Sequence, residues 1–510
     1  MSRPTPVLLA LALLAGAGNG NALRALQATT SPPDSIAPSM TALLPHDHWS
    51  RSALRRLATL GLLEPAAAWT TWPARHDHVL RLLRTATERA ATTAHHAHNL
   101  TSALEQRLNA EFGVLRRSSI PAAATVGLIA GFRHGHLRAG NTIPSESGYE
   151  YTGPRPQHDD AWVGVLTHAF FATRWLSAGI GLDPADDDGP DAIALAYAAL
   201  HTGPVDLWFG RRSLSFQAGS GGSVVLSGNG RFDGIGFDTP AGFRLPGFLG
   251  SLGTIRVTQM LARMARSGPI ERPLFLAQRL SVAPSDRLVI AVNRAAIFGG
   301  KGNLSVTPWR VAWLLLGQTD VAGKDSDFEN QVASVDMVVR PFPEKPALFY
   351  LEWGFDDAGA AVLRVPAILA GFTYAGIAAA PWALVGLEVV RFAGKCCGYP
   401  EWYWHGALPD GWTDGGEPIG HPLGGHGTEL ALSVAADLIA RPASVETRLF
   451  VRDRGRENLF SPNRRGWSGG AALHASIGLI PGTRLDVDVD VETASSWSSL
   501  GGRIGWIYTF

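Results

Sequence analysis

The end of the chain constrains the fold most, because it is a strand whose side chains alternate between apolar and polar. The last eleven residues read LGGRIGWIYTF and end at Phe510. Side chains of a strand have a period of two, so Arg503 and Thr509 lie on the face opposite the large apolar residues. The apolar face carries Leu500, Ile504, Trp506, Tyr508 and Phe510. A soluble strand also alternates, but an aromatic strand at the chain end is typical of a transmembrane β-barrel with a polar interior.

The most regular alternation in the sequence is LDVDVDVE, residues 485–492. Its apolar residues point one way, and Asp486, Asp488 and Asp490 point the other. An acidic side chain facing lipid would cost energy on the kcal/mol scale. The segment therefore predicts a strand whose aspartates face a hydrated barrel interior.

From about Ile120 to the end of the chain, the hydrophobic period is two. At about 20 residues per strand and loop, roughly 390 residues predict a barrel with strands in the mid-to-high teens. The stretch from Val365 to Leu387 is uncharged, but Pro366 and Pro381 interrupt it, so it predicts two strands rather than a transmembrane helix. The competing architecture is a soluble sandwich or propeller, for which no blade-length repeat is found.

The first part of the chain has a different organisation. Residues 1–22 contain Arg3, a short apolar stretch and small residues before a cleavage position, which predicts a secretory signal peptide. Residues 23–45 form a linker, and residues 46–118 have helical periodicity. We expect three helices: one around Leu54 to Leu63, one starting at Thr71-Trp72-Pro73, and one carrying Leu100, Leu104, Leu108 and Phe112. We expect these helices to form a compact bundle that precedes a barrel spanning residues 119–510.

Composition excludes several classes of function. Lys and Arg number 44 and so do Asp and Glu, so no excess charge attracts nucleic acid. Charged residues are only 17% of the chain, which counts against a wholly soluble surface. Cys396 and Cys397 are adjacent, which excludes a disulfide framework.

No motif predicts a metal, a cofactor or a catalytic residue. The histidines at positions 95, 96 and 98 lie on a predicted helix surface, where solvation is the simpler interpretation. The acidic stretch at Asp183 to Asp188 lacks the ligand spacing of a calcium loop. Serine and histidine are plentiful, but no G-x-S-x-G turn presents a nucleophile.

An aromatic and polar segment, residues 402–427, is the candidate binding site. Aromatic faces stack on the C–H faces of sugars, and polar side chains bind their hydroxyl groups. The aromatic girdle of a barrel explains the same residues equally well. Nearby arginines could attract carboxylated polymers, although neutralisation by the acidic row near residue 490 is the favoured interpretation. The predicted polysaccharide-binding residues are Trp402, Tyr403, Trp404, Trp412, His421, His426, Arg452 and Arg454.

With these residues considered, the chain resembles the Wzi family of capsule assembly proteins. The resemblance is carried by LATLGLLEP and TWP in the helical region, by residues 207–237, by GHPLGGHG and by FVRDRGRENLF. A family pattern falls on Trp208, Gly210, Gly222, Ser223, Leu226, Ser227 and Asn229, and we expect its glycines and Asn229 to shape loops. This sequence departs from the family pattern at Arg211-Arg212 and Ser213, where a second tryptophan-glycine-proline element would be expected. The resemblance implies an eighteen-stranded barrel with a periplasmic helical plug and a non-enzymatic function.

The sequence thus predicts a mainly β protein, a large antiparallel transmembrane β-barrel with an N-terminal helical bundle, exported to the outer membrane. It should bind and anchor capsular or related exopolysaccharide at the cell surface, in a lectin-like manner, with no cofactor. Its expected partners are the polysaccharide, outer-membrane lipid and a polysaccharide export complex. The alternatives are an outer-membrane channel or transporter for small solutes and, less favoured, an outer-membrane hydrolase.

Overall fold

The structure is a computed structural model, and the predicted signal peptide and nearly all of the linker lie outside the residues that it describes. The described residues are 43–44, 48–93, 95–111, 122–137, 161–173, 175–182, 193–216, 218–228, 230–264, 270–303, 306–315, 329–356, 366–377, 380–393, 402–405, 408, 411–414, 417–438, 442–459 and 465–510.

Eighteen antiparallel strands form a closed barrel in which each strand pairs with its neighbours in sequence and the last pairs with the first. This confirms the predicted fold class and strand number. The strands are β1 Ala122–Leu137, β2 Ala161–Ala172, β3 Leu176–Leu182, β4 Ile193–His201, β5 Asp206–Arg212, β6 Phe232–Asp238, β7 Thr254–Met264, β8 Leu274–Ser285, β9 Leu288–Phe298, β10 Glu329–Val339, β11 Ala347–Asp356, β12 Ala367–Ile377, β13 Ala380–Phe392, β14 Gly425–Leu438, β15 Ala443–Asn458, β16 Gly466–Ile480, β17 Thr483–Ala494 and β18 Trp497–Thr509.

The two faces of the wall follow the predicted alternation. On β18, Trp506 is 57% exposed and belongs to the outer face, whereas Arg503 points inward and binds Asp488 at 2.7 Å. Asp486, Asp488 and Asp490 are all buried on the inner side. The connections that follow odd-numbered strands are mostly long and those that follow even-numbered strands mostly short, so we call the two ends of the barrel the long-loop end and the short-turn end.

Within the described residues, five α-helices accompany the barrel. They are α1 Ser50–Thr59, α2 Pro65–Ala68, α3 His76–Thr93, α4 His95–Glu111 and α5 Pro308–Leu315. The predicted second helix begins later than expected, at His76. The reason is that the backbone of Trp72 is used in a bridge to Ser215, and Ala74–Arg75 pairs with Leu43–Leu44. None of the described helices is both long enough and apolar enough to span a membrane. This finding applies to helices only.

Helices α1 to α4 pack into the short-turn end of the barrel. On α1, Arg56 pairs with Asp437 of β14 at 2.5 Å, and the Thr59 hydroxyl lies 2.9 Å from that of Thr373. On α4, Arg107 donates to the Ser476 carbonyl of β16 at 3.1 Å. These bonds join the helical region to three separate strands, all near their ends.

Candidate functional site

The connection between β5 and β6, residues 213–231, folds into the barrel interior and is called the β5–β6 segment. Leu214, Phe216 and the run Val224 to Leu226 are completely buried. From the short-turn side, Trp69 donates to the Ala218 carbonyl at 2.8 Å, and Arg55 donates to that of Gly219 at 2.7 Å. The helical region and the β5–β6 segment are therefore successive layers across the interior.

Two carboxylates of the barrel wall hold the β5–β6 segment by its backbone. Glu388 of β13 accepts the N–H groups of Ser220 at 2.6 Å and Gly221 at 3.1 Å. Glu352 of β11 accepts the N–H of Val224 at 2.9 Å. A buried loop has backbone donors that no ladder satisfies, and a charged acceptor is the strongest available partner. The wall thus fixes a segment that lacks regular secondary structure.

The family pattern within this segment has a shaping role. Gly222 adopts φ +139°, and a Cβ placed there would lie 2.6 Å from the Ser227 hydroxyl. That hydroxyl accepts from the Ser223 N–H at 3.0 Å and donates to the Ser223 carbonyl at 3.1 Å. A side chain at position 222 would break this turn, as expected from the sequence. Asn229 lies outside the described residues.

The connection between β13 and β14, residues 393–424, is called the β13–β14 segment, and its described part covers the β5–β6 segment from the long-loop side. The Tyr403 hydroxyl donates to the Val224 carbonyl at 2.5 Å, and the Trp412 indole donates to that of Val225 at 3.0 Å. The Ser227 N–H donates to the Ile419 carbonyl at 2.8 Å. The two segments are therefore joined directly by hydrogen bonds.

Six of the eight predicted polysaccharide-binding residues lie inside this packing. Trp404 and His426 are partly exposed. A buried ring cannot stack on a sugar unless the segment opens. Burial therefore disfavours sugar contact by Trp402, Tyr403 and Trp412, and their role in binding stays a prediction. The buried six are Trp402, Tyr403, Trp412, His421, Arg452 and Arg454.

The predicted arginines are paired with carboxylates of the wall. Arg452 lies 2.7 Å from Glu429, and Arg454 lies 2.6 Å from Glu492. Both arginines point inward from β15 and are almost completely buried. Internal neutralisation, the favoured interpretation of the sequence, is what the structure shows for these two side chains. Arg464, another of the arginines near this strand in sequence, lies outside the described residues.

One group of side chains has the composition of a metal site. Ligand atoms of Glu388, His421 and Glu429 lie within 4.8 Å of one another. Burial lowers the pKa of His421 to about 4, so its imidazole is neutral at physiological pH. Arg448 nevertheless bonds to Glu429 and lies 3.5 Å from Glu388. Guanidinium groups already balance the two carboxylates and would repel a cation, so we assign no metal here.

The structure also contains a serine, histidine and aspartate relay that the sequence does not reveal. His201 Nε2 lies 2.9 Å from the Ser177 hydroxyl, and its Nδ1 lies 2.9 Å from Asp206. Ser177 is fully buried, and Asp206 also binds Arg75 of the helical region at 2.7 Å. A nucleophile needs an accessible hydroxyl, so this relay joins strands β3 to β5 to the helical region rather than presenting a reactive serine. No spacing motif in the sequence marks it.

These features define a large transmembrane β-barrel whose interior is filled by its own helices and loops. The family model described as capsule assembly protein Wzi matches residues 140–502, and the chain belongs to that family. It is therefore an outer-membrane protein, and in bacterial outer-membrane barrels the short turns generally lie in the periplasm and the longer loops outside. We call the long-loop end the external end from here on.

Solved structures resemble the chain over most of its length. Wzi of Escherichia coli has a TM-score of 0.69 at 17% identity, covering 92% of this chain and 99% of that chain, and is described as a carbohydrate-binding β-barrel involved in group 1 capsule assembly. Two Pseudomonas aeruginosa structures each match 76% of this chain. OpdO has a TM-score of 0.47 at 12% identity, with 97% of its own chain covered. OpdL has a TM-score of 0.44 at 11% identity, with 98% of its own chain covered. No curated protein matches the chain.

Proposed function

We propose that this protein binds capsular or related exopolysaccharide at its external end and anchors the polymer to the cell surface without catalysis. The observation that carries the proposal is the filled interior. Buried segments bonded to wall residues such as Glu352 and Glu388 take the place of a solute path, and the external face is left for contact with a polymer. Family membership and the carbohydrate binding of the E. coli structure support the same function.

We assign the sugar contact to side chains near the external end that remain accessible to solvent. Trp404 is partly exposed in the β13–β14 segment, and His426 is partly exposed at the start of β14. Arg456, near the external end of β15, is exposed. An indole face, an imidazole and a guanidinium provide stacking and hydrogen bonds for a sugar. Affinity for one repeat can be modest, since a polymer meets many copies of the protein.

The rival functions have weaker support. A channel needs a continuous aqueous path, whereas the layers described above are joined by hydrogen bonds. A hydrolase needs an accessible nucleophile, whereas Ser177 is buried. Outer-membrane lipid and an export complex remain predicted partners, and the helical region is the part of the chain that would face the latter.

The test compares cell-attached with shed polysaccharide after gene deletion and complementation. We expect deletion to raise the shed fraction, the wild-type gene to restore attachment, and the Trp404→Ala, His426→Ala double variant to restore it only in part. The matched control is Trp467→Ala, because Trp467 is 66% exposed on the outer wall and should face lipid. Unchanged attachment after deletion would reject anchoring. Full restoration by the double variant would reject only the two contact residues.

A further inference from the structure

The outer wall carries a polar cluster where lipid-facing residues are expected. On β9, Arg294 shares its face with Val292, which is 49% exposed. On β8, Gln278 shares its face with Leu280, which is 48% exposed. Residues two apart on a strand point to the same side, so Arg294 and Gln278 project outward, away from the filled interior. A bare arginine on the lipid face costs about 2–4 kcal/mol near the bilayer midplane.

Helix α5 covers this cluster from the outside. Arg294 donates to the Leu314 carbonyl and, through Nε, to Gln331 of β10 at 3.0 Å. The Gln278 amide lies 3.5 Å from the Leu315 carbonyl. The last carbonyls of a helix have no partner within it, and a cation is favoured at that end. The cluster therefore binds the C-terminal end of α5 and is itself removed from lipid.

The inner side of α5 is fitted to the wall. Leu314 is completely buried against Leu276, Ala296 and Phe298, which are outward residues near the external ends of β8 and β9. Val311 and Leu315 pack around the same group, at the three- and four-residue spacing of one helix face. The helix thus lies on the barrel exterior, level with the external part of the wall.

An aromatic residue of α5 is exposed beside this packed side. Trp309 is 64% exposed, and the outer wall of nearby strands carries further exposed apolar residues, among them Val292, Val335 and Ile235. Tryptophan is enriched where membrane and water meet, because its ring is apolar and its N–H is polar. We propose that α5 is an interfacial helix whose exposed Trp309 contacts lipid of the outer leaflet, with Arg294 as the anchor of the helix. Continuity with the lipid-facing wall favours lipid over a second copy of the chain.

The test measures the depth of position 309 in a bilayer. In a Cys396→Ser, Cys397→Ser background, Trp309→Cys carries an environment-sensitive fluorophore, and the protein is reconstituted in phosphatidylcholine vesicles with doxyl-labelled lipid. Controls are Val292→Cys, on the lipid-facing wall, and Lys301→Cys, whose side chain is 80% exposed in an external connection. We expect quenching at 309 close to that at 292 and about threefold or more above that at 301. Quenching equal to that at 301, or disulfide cross-linking of 309 between copies, would overturn the proposal.

A second variant tests the anchor. Arg294→Met keeps an unbranched apolar stem but removes every donor to the Leu314 carbonyl. We expect quenching at 309 to fall toward the value at 301, while Arg287→Met, at an exposed turn, leaves it unchanged. Unchanged quenching in Arg294→Met would refute the anchoring role. Folding of each variant is checked by heat-modifiable migration in gels.

Discussion

Individual side chains inside this barrel are paired rather than hydrated. Asp488, predicted from its alternating strand to face water, does face inward, but it is only 1% exposed. It binds Arg503 at 2.7 Å and His474 at 2.6 Å. The side-chain period predicts direction because geometry fixes it. It does not predict the partner, because that depends on the register between neighbouring strands.

His421 makes the stability of the filled interior depend on pH. Burial lowers its pKa to about 4, from 6.5 in the unfolded chain, against the opposing effect of Glu429 and Glu388. Between these values the unfolded state binds a proton that the folded state does not, so stability from this group is complete above pH 6.5 and is lost as pH falls toward 4. We expect this group alone to lower the free energy of unfolding by about 3 kcal/mol over this range. Urea titrations at pH 7 and pH 4 in detergent measure it.

The matched variant for that experiment is His421→Asn, because the Nδ1 of His421 accepts from the Leu423 N–H at 3.1 Å and an amide oxygen can replace it. The variant should lose less stability between pH 7 and pH 4 than the wild type. The stability of the variant will still depend on pH to some extent, since burial also lowers the pKa of His78 to about 3. Equal losses in the two proteins would contradict the assignment to His421.

At the scale of elements, regular strands are predictable and inward segments are not. The pair of strands predicted within residues 365–387 is confirmed as β12–β13. The β5–β6 and β13–β14 segments have no period, and their Gly-rich composition is typical of exposed loops. The burial of the β5–β6 segment follows from wall acceptors such as Glu388, more than 150 residues away in sequence, and no local pattern contains that information. Composition indicates the candidate aromatic residues, but it does not predict that most of them are buried.

The junction between the two inward segments depends on one hydroxyl. Tyr403 donates to the Val224 carbonyl and accepts the His421 N–H at 2.8 Å, and its side chain is fully buried. Tyr403→Phe leaves both groups without this partner, at a cost of about 1–3 kcal/mol. We expect faster amide hydrogen exchange in residues 223–227 and 419–424, with the barrel strands unchanged.

The control for the junction is Tyr374→Phe, because Tyr374 is 38% exposed on the outer wall of β12. This variant should exchange like the wild type at both segments. Equal exchange in Tyr403→Phe and the wild type would show that the segments are held by other contacts, of which the bonds of Glu352 and Glu388 are the first to test.

For the molecule as a whole, the interior has two closures in series. The first is the helical region, tied to the wall by Arg56 and Arg107. The second is the pair of inward segments, tied to the wall by Glu352 and Glu388 and to the helices through Arg55 and Trp69. Resistances in series add, so either closure alone is expected to block current. The arrangement suits a protein that holds a polymer outside the membrane and keeps the outer membrane sealed.

Planar-bilayer conductance tests the two closures together. We expect little current from the wild type, from a variant lacking residues 48–111, and from a variant with residues 215–228 replaced by a short glycine-serine linker. Removal of both closures should give current of the size found for open barrels of similar strand number, because the wall itself encloses a wide interior. Heat-modifiable migration identifies variants that no longer form a barrel, and only folded variants enter the comparison. Sustained current through the wild type would refute the sealed interior and favour the channel alternative, whereas current after the first deletion alone would assign the seal to the helices.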